Sequence, residues 1–162
     1  MGLPYRAKAV ANFFLMMGRN EGVPITPLKL QKLIYFAHGW CLAIAKKPLI
    51  QESIEAWRYG PVIANLYYEF REFGSHPITR PAKYTRDAET QIEADDFTVS
   101  LLKKVWDEYK AYGPLELSAM THLPNTPWKV ARHKIAPEKF NVTISDELIK
   151  EDFLKNFANA DA

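Results

Sequence analysis

The segment 27–45 constrains the fold most, because it carries the signals of a long helix with apolar neighbours on several sides. Thr26 can cap this helix, and Pro27 suits its first position, where no backbone N–H is needed. Phe36 and Trp40 widen an apolar stripe at helical spacing that consists of Leu30, Leu33, Ile34, Ala37, Cys41 and Ile44. Because one neighbour cannot cover so wide an arc, the segment is predicted to be the central helix of a bundle.

Weaker patterns predict shorter helices and a small β element around this centre. Capping residues, prolines and helical spacing predict helices at about 7–18, 61–74, 95–112, 115–122, 127–133 and 146–157. Strands are expected at about 54–59 and 140–144, which are rich in strand-forming residues. Gly60 and Pro61 then predict a corner where strand turns into helix, because glycine reaches unusual backbone angles and proline starts helices.

The polar segment 76–94 contains two prolines and many charges, and is predicted to be a mobile loop that could hide a short strand or a turn of helix. The 162 residues fit one domain, 1–162, with a core over about 6–157. The predicted fold class is therefore mainly α: a compact single-domain helical bundle around the helix at 27–45, with a small β element.

The charge balance makes nucleic acid an unlikely partner. The chain has 21 basic and 19 acidic residues, a net charge of +2, whereas nucleic-acid binders usually carry a basic stripe or a much higher pI. No apolar run approaches the roughly 20 residues that a membrane span needs, and no basic leader precedes a long apolar stretch. A cytoplasmic protein is expected. Aromatic residues reach 13%, so some could anchor a partner while most fill the core.

The patterns of common catalytic and metal sites are absent from the sequence. The four histidines form no His-x-x-x-His pair, there is one cysteine, and the glycines are scattered rather than grouped in a phosphate loop. Two alternatives stay open: Cys41 could act with His38 or His122, and Glu55 could form an acid–base pair with either histidine. A buried polar pair that satisfies its own hydrogen bonds would explain the same residues without catalysis.

Three groups of residues, in this order and spacing, resemble the Panacea domain, also described as the SocA-like or GepA-type antitoxin family. They are TPLKLQKLIYFAHGW at 26–40, EAWRYGPV at 55–62, and ELS at 116–118 with Thr121-His122 and Pro127-Trp128. The resemblance extends over residues 6 to about 155, which is nearly the whole chain.

The resemblance implies an antitoxin of a bacterial or prophage toxin–antitoxin pair that neutralises a cognate toxin, encoded nearby, by direct protein contact. It implies no cofactor and no enzymatic activity. One branch of the family works as a proteolytic adaptor, which would add a ClpXP-type protease as a partner. An enzyme of unknown type that uses His38, Glu55 and His122 is the alternative of another class.

The candidate toxin-binding residues are the polar and aromatic members of these motifs: Lys29, Lys32, Tyr35, His38, Glu55, Trp57, Tyr59, Thr121, His122 and Trp128. They could form a hydrogen-bonded network that fixes the packing, or they could line a groove for a toxin segment. Lys32 and Tyr35 favour the groove, since both are expected to point away from the apolar stripe, ready for an acidic group and an aromatic contact. Trp57 and Trp128 are expected to wedge the strand and the Thr-His segment against the central helix.

Overall fold

The computed structural model describes residues 2–58, 60–132 and 142–160, with side chains as far as residue 155. The chain is mainly α, as the sequence predicts. The elements are α1 (Ala7–Glu21), α2 (Pro27–Ala45), β1 (Ile54–Trp57), β2 (Gly60–Val62), α3 (Ala64–Phe70) with a 3-10 turn (Arg71–Phe73), α4 (Arg86–Glu93), α5 (Asp96–Tyr109), α6 (Pro114–Thr121), α7 (Pro127–Val130), β3 (Val142–Ile144) and α8 (Asp146–Ala160). None of the helices in these described ranges is long and apolar enough to cross a membrane.

The prediction of a central helix is confirmed by α2. Its first turn is capped by Thr26, whose Oγ1 accepts a hydrogen bond from the Lys29 N–H at 3.2 Å, and Pro27 occupies the first turn. Every residue from Lys29 to Gly39 is buried. The helix is covered by α1, α3, α5, α6, α8 and β2, so that even the polar side chains on it lie inside the bundle.

The β element is a three-stranded antiparallel sheet in which β1 lies between β2 and β3. The prediction that Gly60 and Pro61 form a strand-to-helix corner is wrong, because both belong to β2 and α3 begins only at Ala64. Proline is tolerated there since β2 is an edge strand and needs fewer ladder donors. Residues 140 and 141 of the second predicted strand lie outside the described residues, and β3 covers the remainder.

The polar segment 76–94 contains α4, so it is not wholly a loop. Ile92 on this helix is buried in the core. The stretch before α4 is tied to α1 by Asn12, whose side chain donates to the Ala82 carbonyl at 3.0 Å and accepts from the Ala82 N–H at 2.7 Å. With a single buried apolar residue in eight, α4 has too weak a hydrophobic pattern to be predicted as a helix.

Several helix ends also differ from the predicted ones. α1 passes through Gly18, which is buried, and ends at Gly22 in the left-handed region with φ of 69°. α5 ends at Tyr109, before the predicted end at 112, and its buried face includes Trp106. The helix predicted at 127–133 is α-helical over Pro127–Val130 and continues as a π-helical turn at 131–132, and residue 133 lies outside the described residues.

Candidate partner-binding site

Lys32 lies in the interior, although the sequence predicted that it would face away from the apolar stripe. It is fully buried, and its Nζ donates to the Pro61 carbonyl at 3.1 Å. A Cβ on Gly60 would lie only 2.5 Å from this Nζ, so glycine, here with φ of 125°, leaves the space that the ammonium occupies. Loss of solvation lowers the pKa of Lys32 to about 7. In this conformation the ammonium is not available at the surface to a toxin.

Tyr35 is also buried, although the sequence predicted that it would point away from the apolar stripe and be ready for a partner. Its ring meets Phe36 and Phe153 edge-on, with ring centroids 5.7 and 5.9 Å away. Burial raises the pKa of the phenol, and the carboxylate of Asp152 adds to the effect. Because α8 packs over this side of α2, Tyr35 contributes to the core and not to a surface contact.

His38 and Lys29 join separate parts of the bundle. The Nδ1 of His38 accepts from the N–H groups of Leu49 and Ile50 at 3.3 and 3.4 Å, so the proton is on Nε2, which lies 2.9 Å from Oδ1 of Asp146. His38 therefore pairs with α8 and not with Glu55. The Nζ of Lys29 donates to the carbonyl of Lys110 at 2.6 Å, and burial lowers its pKa while Glu116 opposes that shift. Both side chains fit the network interpretation.

Trp128 joins α7 to β1 and to the Thr-His segment, and the expected wedge against the central helix stays a prediction. Its indole N–H donates to the Trp57 carbonyl at 2.6 Å, and its ring lies 4.0 Å from the His122 ring, centroid to centroid. The Nδ1 of His122 is 2.6 Å from the Ser118 carbonyl, which the Thr121 hydroxyl also approaches at 2.7 Å. We call Lys32, Gly60, Pro61, His122 and Trp128 the Lys32 cluster.

The catalytic alternatives find no support in these contacts. An oxygen of Glu55 accepts from the Trp57 indole at 3.3 Å, and the Nδ1 of His122 lies beside the Ser118 carbonyl. These contacts do not join Glu55 and His122 into an acid–base pair. Burial raises the pKa of Cys41 to about 12, which keeps the thiol protonated at neutral pH. Among the described residues, no three His, Cys, Asp or Glu side chains are grouped so that they could hold a metal ion.

A solvent-open groove lies where α2, β1, β2 and α3 meet, and it is lined by Pro27, Leu28, Gln31, Trp57, Arg58, Val62, Tyr67, Tyr68, Arg71 and Gly74. We call it the aromatic groove, and its volume is about 650 Å³. Tyr67 and Tyr68 are 44% and 60% exposed. The rings of Trp57 and Tyr67 have centroids 5.0 Å apart, those of Tyr67 and Tyr68 5.4 Å, and the Arg71 guanidinium lies 5.5 Å from the Tyr68 centroid.

Gln31 holds the base of this groove in place. Its side-chain amide donates to the Ile63 carbonyl at 3.0 Å and accepts from the Ile63 N–H at 2.8 Å. The bonds fix the link between β2 and α3 against the central helix, and so set where the exposed rings of α3 lie. A buried amide paired in both directions makes this junction costly to move.

Of the ten candidate residues, only Trp57 lines the aromatic groove; Tyr59 lies outside the described residues. The candidate residues predicted from the sequence did not include Tyr67, Tyr68 or Arg71. The adjacent tyrosines at 67 and 68 carried a usable signal, since consecutive helical residues point about 100° apart and cannot both lie at the centre of a buried face.

Comparisons with known proteins agree with the resemblance in the sequence motifs. The family model for the SocA-like antitoxins, Panacea domain, matches residues 30–129, which contain most of the aromatic groove and all of the Lys32 cluster. The antitoxin SocA of Caulobacter vibrioides (strain NA1000 / CB15N) is 31% identical over 153 residues, covering 91% of this chain and 81% of the relative. No solved structure matches significantly. The chain belongs to the SocA-like antitoxin family that carries the Panacea domain.

Proposed function

We propose that this protein neutralises a toxin by binding it directly, and that it makes and breaks no covalent bond in doing so. The observation that supports the proposal is the aromatic groove, in which large apolar rings are grouped and exposed. Exposed aromatic clusters with arginine at the edge are typical of protein interfaces, where such side chains supply most of the binding energy.

The buried polar residues of α2 agree with this proposal, because they are used inside the fold and not in a catalytic site. Lys29, Lys32 and His38 are each bonded to a neighbouring backbone or side-chain group within the bundle. Lys32 ties the central helix to β2, an element that borders the groove, while Lys29 and His38 tie the same helix to Lys110 and to α8, so all three act on binding through the fold. A stable complex would bury on the order of 1,600 Å² in total, so the toxin would extend beyond the groove onto the surrounding surface.

Co-expression tests this proposal in the cell. The gene beside the one for this chain is expressed alone and together with it, and growth is measured. Growth arrest by the neighbour that this protein relieves is expected, whereas arrest that persists at equal expression would contradict the proposal. The toxin's half-life is followed in the same cultures, because a shortened half-life would indicate delivery to a protease in place of simple blocking.

A further inference from the structure

We propose that the aromatic groove binds an acidic segment of the partner protein, one that offers carboxylates to the arginines and apolar side chains to the rings. The inference rests on the proposed function for the nature of the partner. It adds the chemistry by which that partner is recognised.

The charge at the groove is positive. Arg58 and Arg71 line it and are exposed, and no aspartate or glutamate among the described residues lines it. The acids of the α3 segment, Glu69 and Glu72, both form ion pairs with Arg80, and Glu69 also pairs with Lys8. Their charges are therefore compensated away from the groove. The Glu55 carboxylate, which accepts from the Trp57 indole without lining the groove, offsets one of the two arginines, so the local surface remains positive on a nearly neutral chain. Such a surface attracts carboxylates and repels basic segments.

The position of Arg71 over an aromatic ring favours contact with a carboxylate. Its guanidinium lies over the Tyr68 ring, 5.5 Å from the centroid. An aromatic ring accepts a guanidinium through its π face and takes up few of its N–H donors, so Arg71 keeps donors for a bidentate contact with a carboxylate. The ring also limits the conformations of the long side chain, so less entropy is lost when the carboxylate binds.

The floor of the groove is apolar, so the bound segment should also carry apolar side chains next to its carboxylates. Trp57, Tyr67 and Tyr68 contact one another in series, and Leu28 and Val62 complete the surface. Burial of rigid aromatic rings costs little side-chain entropy. A volume of about 650 Å³ accommodates a few side chains. The occupant is thus a short segment that carries both acidic and apolar residues.

A second copy of this chain is a poorer occupant. In a symmetric contact through this face each groove would meet the other, and the exposed Arg58 and Arg71 of one copy would approach those of its mate. Like charges brought together at an interface oppose association. Charge complementarity therefore favours an acidic partner over self-association.

Two groove variants and two matched controls test the inference. Arg71→Glu reverses the charge and Tyr68→Ala removes the exposed ring. Lys103→Glu on α5 and Tyr84→Ala make the same changes at exposed positions that do not line the groove. Because all four side chains are exposed, helical content and melting temperature should stay close to those of the unaltered protein.

The binding probes are the purified product of the neighbouring gene and two fluorescein-labelled 12-residue peptides. One peptide alternates glutamate with leucine and tryptophan, and the other has lysine in place of glutamate. We expect the acidic peptide to bind and the basic one not to. Each groove variant should weaken binding of the peptide and of the gene product at least about tenfold, and each control less than about twofold. Raising NaCl from about 50 to about 500 mM should weaken binding of the acidic peptide to the unaltered protein more than its binding to Arg71→Glu.

Equal binding of the two peptides, or groove variants that bind the gene product as well as the controls do, would overturn the inference. If the gene product still binds in that case, the proposed function survives without it. If the gene product does not bind at all while the acidic peptide binds through the groove, the proposed function fails, and of the inference only the preference of the groove for acidic segments stands. A dimer that dissociates on Arg71→Glu would show self-association through this face and would contradict the inference.

Discussion

At the scale of single residues, the burial of Lys32 shows that a polar side chain of the α2 motif lies inside the bundle. Its ammonium has one hydrogen bond to a described residue, the carbonyl of Pro61, and no carboxylate among the described residues forms an ion pair with it. A buried ammonium with so little compensation favours its neutral form, which is the physical reason why its pKa falls to about 7. The space for it depends on glycine at position 60.

This burial predicts a pH dependence of stability. The pKa of Lys32 is about 7 in the folded protein and about 10.4 in an unfolded chain, so between these values the unfolded state binds the additional proton. The contribution of Lys32 to the free energy of unfolding should therefore rise as the pH increases from about 7 towards 10, with a slope of at most about 1.4 kcal/mol per pH unit. Above about pH 8.5 the Cys41 thiol opposes it, because that thiol ionises in the unfolded chain but has a pKa of about 12 in the folded protein, so the contribution of Lys32 is read as the difference from a variant that lacks the ammonium. Urea unfolding at pH 7, 8 and 9 measures it.

The matched variant for that experiment is Lys32→Met, which keeps an unbranched side chain, one atom shorter than that of lysine, and removes the charge. It should lose the rise in stability between pH 7 and 9, and should be at least as stable as the unaltered protein at pH 7, since an apolar side chain needs no solvation. A variant with an unchanged pH slope would show that the ammonium of Lys32 is solvated in the folded state.

At the scale of elements, the contact between α2 and α8 depends on a glycine. A Cβ on Gly39 would overlap the ring of Phe153, which also meets Tyr35, Phe36 and Trp40 edge-on. Alanine is normally the better helix former by roughly 0.5–1 kcal/mol. Here the close approach of α8 reverses that preference.

The expected effect of Gly39→Ala is a loss of about 1–3 kcal/mol of stability, because the ring must move out of a well-packed core. Chemical denaturation measures it. In Gly39→Ala/Phe153→Leu the smaller leucine makes room for the new methyl group. The loss of unfolding free energy in the double variant should therefore be smaller than the sum of the two single losses by at least about 0.5 kcal/mol. Additive losses would mean that the two residues do not meet.

Sequence patterns predicted those helices and strands whose local signals, such as caps, prolines and apolar spacing, are sufficient to define them. The helix α2 was predictable because a cap, a proline and a wide apolar arc agree over 19 residues. The segment Gly60-Pro61 was misjudged since the local signal for a helix start is the same as that for an edge strand, and only the pairing with β1 decides between them. The inward position of Lys32 and Tyr35 depends on β2 and α8, which cover that side of α2 and are distant in sequence.

The candidate site was less predictable than the fold for the same reason. The motifs drew attention to Lys29 and His38, whose bonds to Lys110 and Asp146 are structural. The exposed Tyr68 and Arg71 are ordinary residues in sequence. They become a feature only when β1 brings Trp57 beside α3.

At the scale of the whole molecule, the central helix contributes to two different environments, the interior of the bundle and the exposed aromatic groove. On its inner surfaces, polar groups such as Lys32 and His38 are bonded within the bundle, and on the groove side rings and arginines are presented to solvent. The proposed account is that the interior fixes a shape and the groove recognises a partner. Within the part of the chain that the structure describes, the exposed rings are where such recognition would be concentrated.

The most direct test of this account mixes the purified protein with the purified product of the neighbouring gene. Light scattering after size-exclusion chromatography measures the mass of the complex, and the toxin's activity is titrated against the amount of this protein. The account predicts a complex of fixed stoichiometry and loss of activity that is complete once that ratio is reached, with no protease, nucleotide or other cofactor present. Neutralisation far below that ratio, or inactivated toxin that carries a chemical change after the two are separated, would contradict it.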